Sequence, residues 1–359
     1  MDRLFICQVV PKKLTSELKV SQAANNFCFN LIDTNCFNNV ISLVPINVVK
    51  KIENEKDNFV NYVQSRRFKS HKGIFKFLNS FIESIILAKK AKKAKNIWYY
   101  NITPHNLLSC LILKYIYGRE IFIILADYTP SNNKFSLQRF IKSFIEKKIS
   151  GIISLSCRNE FSNKNMVNLA GIVPLSKINN IEIKNPIDTK FLLSGRLEES
   201  TGWSLAIKTF SNLPQEFKLF ITGSLTKDQE QEISTCPNIF YLGLLSYEKY
   251  LELLREIPFS LNLRNPKFDK NMNNFPSKVL ESFSYNRIVI STFSYNELKK
   301  FKYFYSNYEI NSLSNLLKEI SEKSYNELFG YSNHSLLLQE TFSESIWKKY
   351  LTNIENYIL

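Results

Sequence analysis

Short, nearly continuous apolar runs alternate along this chain with longer stretches in which apolar residues recur at helical spacing. LFICQVV (4–10), NVISLVP (39–45), NIWYYN (96–101), EIFIILAD (120–127) and GIISLS (151–156) predict strands. The segments 18–32, 72–94, 104–116 and 135–148 predict helices between them. Strands that are apolar throughout, not at every second residue, suit a parallel sheet covered by helices on both faces. Over 177–190 the pattern turns polar around one proline, which predicts a linker. The alternation then restarts. Strands are predicted at 191–197, 218–224, 239–245, 258–264 and 287–292, and Ser246 reads as the N-cap of a helix over 246–257. From 311 onward the tail is helical and ends in the amphipathic SESIWKKYLTNIENYI (343–358).

Strand-helix alternation of this kind predicts an α/β chain, and 359 residues suit two domains better than one. The expected architecture is two Rossmann-like domains facing each other across a cleft. Their expected bounds are 1–183 and 184–340, with a C-terminal helix, 341–359, returning toward the first domain. Neither half contains GxGxxG or GxxxxGK[ST], which argues against a dinucleotide enzyme and a P-loop NTPase.

Charge separates the halves. Residues 1–180 hold 27 Lys/Arg against 11 Asp/Glu, whereas residues 181–359 hold 20 against 21, so the formal +15 resides entirely in the first half. The segment 66–95 mixes that charge with Phe68, Phe75, Phe77, Phe81 and an Ile-Ile-Leu run, a pattern suited to an anionic membrane surface. A packed helix with a solvated lysine face is the plainer reading. Nucleic acid is not the expected partner, because no RRM, KH or helix-turn-helix pattern accompanies the charge. No segment reaches the roughly 18 apolar residues of a membrane span. LFICQVV is too short for a signal sequence. The six cysteines form no CxxC or zinc spacing and read as reduced thiols of a cytosolic protein.

Candidate chemistry gathers in the second half. In NFPSKVLESFS (274–284), Pro276 suits a helix start, and the free N–H groups there favour a phosphate. Lys278 is a cation in that first turn. Glu281 lies one turn on, on the face of Ser277 and Lys278, and is suited to accept from vicinal hydroxyls. Solvated charges on an amphipathic helix would look the same. SGRLEESTGW (194–203) puts Gly195 and Arg196 at a strand end, where a small residue admits a ligand and an arginine can fork onto a diphosphate. FKLFITGS repeats the strand-then-glycine order with Gly223.

Taken in order, SGRLEESTGWSLAIKTFSNLP, FKLFITGS, NIFYLGLLSYEKYLELL, FSLNLRNP and NFPSKVLESFSYNRIVIST resemble the donor domain of GT-B glycosyltransferases, in particular the family 4-like enzymes of bacterial surface-polysaccharide assembly. The likeness covers about residues 189–295 and is general over the first domain. It implies a nucleotide-diphosphate-sugar donor, a lipid-linked oligosaccharide acceptor of the O-antigen or capsule kind, and a retaining outcome. By that likeness Arg196, Lys278 and backbone N–H groups from Phe275 to Ser277 hold the diphosphate, Glu281 holds the ribose, and Gly243 to Tyr247 line the base. No metal or other cofactor is expected, and the enzyme would be cytoplasmic, peripheral on the inner face of the membrane.

Two departures stand out. Asn273 occupies the position of a second glutamate, eight residues before Glu281, that contacts the sugar in the family. Thr201 occupies the position of a basic residue. Asp127, ending EIFIILAD, could orient or deprotonate the acceptor, or cap its own turn. His105 is similarly placed. Two other readings stay open: a non-catalytic membrane or nucleic-acid binding protein on the same scaffold, and a nucleotide-sugar epimerase.

Overall fold

The computed structural model describes residues 2–11, 14–15, 22–44, 60–65, 73–104, 106–126, 137–157, 161–179, 188–268 and 275–357. Asp127, Asn273 and His105 lie outside these described residues. The chain forms two compact units, Met1–Ile172 with Glu344–Leu359, and Val173–Ser343.

The first unit is built on seven strands: β1 (Arg3–Cys7), β2 (Asn39–Val44), β3 (Val60–Gln64), β4 (Asn96–Tyr100), β5 (Glu120–Leu125), β6 (Gly151–Ser154) and β7 (Met166–Asn168). They pair in the order β3-β2-β1-β4-β5-β6-β7, all parallel. Alternate side chains point to opposite faces, and both faces are covered. Ile6, Ile97 and Ile123 pack with Leu87, Cys110, Leu113 and Ile145 from the helices Gly73–Ala91, Leu107–Tyr115 and Leu137–Lys148. Trp98 stacks on Phe122 at 4.8 Å on the other face, where Phe27 of the helix Gln22–Ile32 meets Trp347 at 5.5 Å. Trp347 belongs to the last helix, Glu344–Asn356. That helix is fixed by polar contacts that water cannot reach. The Arg3 guanidinium donates to both Glu355 oxygens at 2.8 and 2.9 Å and to Thr352 at 2.9 Å. Trp98 Nε1 donates to the same carboxylate at 2.8 Å, and Trp347 Nε1 to the Gly171 carbonyl at 2.8 Å.

The second unit repeats the plan with β8 (Lys190–Ser194), β9 (Lys218–Thr222), β10 (Ile239–Tyr241), β11 (Phe259–Asn262), β12 (Ile288–Ser291) and β13 (Phe304–Tyr305). The order is β10-β9-β8-β11-β12-β13, again all parallel. Phe191 and Leu193 of β8 face a core shared with the helices Trp203–Ser211 and Ile310–Ser321. Leu192 faces the other way, onto Tyr250 and Leu254 of the helix Tyr247–Glu256. Both sheets therefore have the strand order of doubly wound dinucleotide-binding domains, with switch points at β1/β4 and β8/β11. The expected pair of Rossmann-like α/β domains is present. Three strands absent from the sequence reading, β3, β7 and β13, are short edge or near-edge strands: β3 and β7 each bury few side chains, and β13 has two residues.

All six cysteines are free, four of them buried. Removing the Glu355 carboxylate strands a buried guanidinium, a change that costs about 3–5 kcal/mol. Glu355→Ala is expected to lower unfolding stability by that order in urea titrations. A loss under about 1 kcal/mol, the worth of an exposed ion pair, would contradict the packing described.

Candidate functional site

The helix Ser277–Ser284 begins after Pro276, which stands at the cap position in extended conformation (φ −80°, ψ 104°) without a side-chain cap. Its apolar face, Val279, Leu280 and Phe283, is buried. Ser277, Lys278 and Glu281 are half-buried on the other face, and Lys278 reaches the carboxyl end of β8. Lys278 Nζ donates to Ser194 Oγ at 3.1 Å and lies 5.2 Å from the centre of the Tyr250 ring. Burial pushes the lysine down to about 8, and the Glu281 charge opposes that shift. Glu281 accepts from the Tyr247 hydroxyl at 3.1 Å. Burial raises its carboxyl, while Lys278, Tyr247, Lys177 and Tyr250 pull it back.

This approach needs glycine at two strand ends. Gly195, just past β8, has φ +110°, and a Cβ there would lie 2.8 Å from Lys278 Nζ. Gly223, just past β9, has φ +149°, and its Cβ would meet the Gly195 carbonyl oxygen at 2.2 Å. The two loops are thus pressed together beneath the lysine. Arg196 shares the Gly195 loop, but its side chain is 73% exposed and pairs with Glu198 at 3.5 Å. The Thr201 hydroxyl donates to the Arg196 carbonyl at 2.6 Å, so the residue in place of a basic side chain closes this loop. Phe275 is buried edge-on against Tyr295 at 5.5 Å.

Gly195, Gly223, Lys278 and Glu281 therefore converge, with Ser277 and Arg196 beside them. Sequence reading missed Ser194, Tyr250 and Lys177. A tyrosine one turn past the Ser246 cap carries no signal that separates it from an ordinary amphipathic helix.

In the first unit, a cavity of about 290 Å³ opens at the carboxyl ends of β1 and β4, among Cys7, Gln8, Tyr100, Asn101, Thr103 and Asn106. Asn101 adopts φ +59°, and its Oδ1 accepts from the Ala126 N–H at 2.8 Å. Asn106 Nδ2 donates to the Asn101 carbonyl at 3.0 Å. The polar lining is made of amides and hydroxyls. Among the described residues no group of three or more His, Cys, Asp or Glu side chains could hold a metal ion.

No protein-family model matches the chain, and no curated protein sequence matches it. Solved structures do match its fold. HepE of Anabaena, in complex with UDP and glucose, is 13% identical at TM-score 0.72, with 99% of this chain and 100% of that one covered. A glycosyltransferase from Rickettsia africae is 14% identical at TM-score 0.68, with 99% and 98% covered. The lipopolysaccharide outer core galactosyltransferase WaaB, in its apo form, is 13% identical at TM-score 0.63, with 100% of both chains covered. At these identities the likeness is one of fold, and the fold is GT-B.

The depressed lysine has a stability signature. An unfolded lysine keeps its proton to about 10.4, whereas Lys278 releases it near 8. Between these values the unfolded chain binds more protons, so stability rises with pH. Wild type is expected to gain stability relative to Lys278→Met as pH is raised from 7.5 to 10. Parallel urea midpoints across that range would contradict it.

Proposed function

We propose that this protein is a glycosyltransferase that takes a sugar from a nucleotide-diphosphate donor and places it on a lipid-linked glycan of the O-antigen or capsule kind. The observation that carries the reading is the pair Lys278 and Glu281, one turn apart at the start of a helix, with Gly195 pressed against the ammonium. Lys278, the first-turn N–H groups and Arg196 hold the diphosphate, with Arg196 swinging in from its exposed pairing. Glu281 accepts from the ribose hydroxyls. UDP in the HepE structure supports a uridine donor.

Charge develops on the leaving diphosphate as the bond from sugar C1 to phosphate oxygen breaks. Preorganised donors there lower the barrier most. The acceptor oxygen forms the new bond to C1, and its proton goes to the leaving phosphate in a retaining reaction. Asn273 contacts the transferred sugar. Asp127 orients the acceptor hydroxyl, and the amide-lined cavity of the first unit seats the acceptor's sugar. No metal takes part in this reading, because Lys278 and Arg196 supply the positive charge.

An anionic membrane on the cytoplasmic side is the partner of the first unit. Among the described residues Phe75 (67% exposed), Leu78, Phe81 and Ile82 are exposed in the first half of Gly73–Ala91, and Leu137 and Phe140 are exposed in Leu137–Lys148. A helix that follows a parallel strand starts at the carboxyl end of the sheet, which is the end where the cavity opens. The apolar rim thus lies at the end of the sheet where the acceptor seat opens. No helix among the described residues is long and apolar enough to cross a membrane.

A thermal-shift screen with UDP, GDP, dTDP and CMP sugars tests the donor. Ligand at a hundredfold excess over Kd contributes about 2.7 kcal/mol, or a rise of about 5–10 °C for a domain of this size. A UDP sugar is expected to give such a rise and Glu281→Ala to remove most of it; stabilisation by none of the four would sink the reading. For the membrane, the pair Phe75→Asp and Phe81→Asp is expected to weaken binding to anionic phosphatidylglycerol vesicles more than tenfold. Unchanged co-sedimentation would count against that face.

A further inference from the structure

Three loops leave the carboxyl ends of β8, β9 and β10, and one residue ties them together. Thr222, the last residue of β9, accepts from the Gly195 N–H at 2.9 Å through its carbonyl. Its hydroxyl donates to the Gly243 carbonyl at 2.9 Å. Thr222 is buried, which keeps water from standing in for that hydroxyl. The Gly223 N–H donates to the same Gly243 carbonyl at 3.0 Å, so both lone pairs of that oxygen are used. Tyr241, the last residue of β10, reaches the other way, and its hydroxyl donates to the Gly223 carbonyl at 2.9 Å. The β10 turn is thereby clipped to the β9 turn, and the β9 turn to the Gly195 loop.

The segment after Gly243 leads to the ribose glutamate. Ser246 caps the next helix, its Oγ accepting from the Lys249 N–H at 3.4 Å, and Tyr247 donates to Glu281 at 3.1 Å. Gly243–Ser246 is therefore held at one end to the loops beside Lys278 and at the other to Glu281. Gly243 has a left-handed φ of +72° with open space where a Cβ would lie, and Leu242 and Leu244 on either side are exposed. In a nucleoside diphosphate the base is carried by the ribose, away from the phosphates. With phosphate at Lys278 and ribose at Glu281, the base falls to the segment that ends at Tyr247.

Resting on those phosphate and ribose roles from the proposed function, we propose that Thr222 and Tyr241 are positioning residues for the nucleoside end of the donor. They hold Gly243–Ser246 in a fixed place relative to the Gly195 loop. Neither side chain has to touch the ligand. Each acts through a backbone carbonyl, Thr222 on Gly243 and Tyr241 on Gly223. A loop fixed before the ligand arrives has little ordering cost to meet on binding. The benefit therefore appears in affinity for a ligand that carries a base. Inorganic pyrophosphate reaches only the Lys278 end and gains nothing from it.

The variants separate this role from simple stability. Thr222→Val keeps the shape of the side chain and removes the donor. Tyr241→Phe keeps the ring and removes its hydroxyl, whereas Thr222→Ser retains a donor. The Gly223 N–H still serves the Gly243 carbonyl in all three, so the expected losses are graded. Each lost hydrogen bond should weaken UDP binding about fivefold, the worth of one neutral pair.

The test is calorimetric titration of the full chain with UDP and, separately, with inorganic pyrophosphate. Thr222→Val and Tyr241→Phe are expected to lose that factor for UDP and to bind pyrophosphate as wild type does. Thr222→Ser is expected to keep the wild-type affinity for UDP. In the ligand-free chain, amide hydrogen exchange across 242–247 should quicken in the two weakened variants. Unchanged UDP affinity or unchanged exchange in both would overturn the inference. So would an equal loss for UDP and pyrophosphate, which marks a site loosened as a whole. Wild type that binds pyrophosphate but not UDP overturns it too, by removing the uridine base it positions. Wild type that binds neither overturns the donor reading itself.

Discussion

Lys278 lies against the loop that ends β8, where a residue without a side chain, Gly195, leaves room for its ammonium. This single steric condition fixes much of what surrounds it. Gly195 holds a left-handed φ of +110° beneath the ammonium, and Gly223 must also lack a Cβ for the β9 loop to pass the Gly195 carbonyl. The helix Ser277–Ser284 is held down by Val279, Leu280 and Phe283, so its polar face cannot retreat from the strand ends. The result is an ammonium with its proton loosened by burial, placed where the fold commonly binds anions.

Opposite requirements govern the two ends of the chain's chemistry. At the helix Glu344–Asn356, charge is buried for architecture: Arg3, Trp98 and Glu355 satisfy one another and pin the last helix to the first sheet. Near Lys278 burial acts on the charges themselves. The glutamate and lysine there offset one another, and both are shifted from their ordinary ionisation.

Much of this was legible in the sequence, for stated physical reasons. Central parallel strands are apolar on both faces, so β1, β4, β5, β8 and β12 stand out as continuous runs. β3, β7 and β13 do not, because strands at or near a sheet edge can be short or half-exposed and need no such run. Gly195, Gly223, Lys278 and Glu281 were singled out through the order of motifs, and the fold brings them close together. Ser194 was not, since its bond to Lys278 exists only when residues 84 positions apart meet. Thr201 read as a missing cation and proves to be the hydroxyl that closes the Arg196 loop. The Phe275 ring packs on Tyr295.

The central claim is that the Gly195–Lys278 contact forms a diphosphate site, and calorimetric titration of UDP into wild type and Gly195→Ala tests it most directly. A Cβ at 195 would lie 2.8 Å from the ammonium, at a φ of +110° that strains any residue but glycine. Binding by wild type and at least tenfold weaker binding by the variant, with an unchanged circular dichroism spectrum, is the expected result. Equal affinity in the two proteins would contradict it.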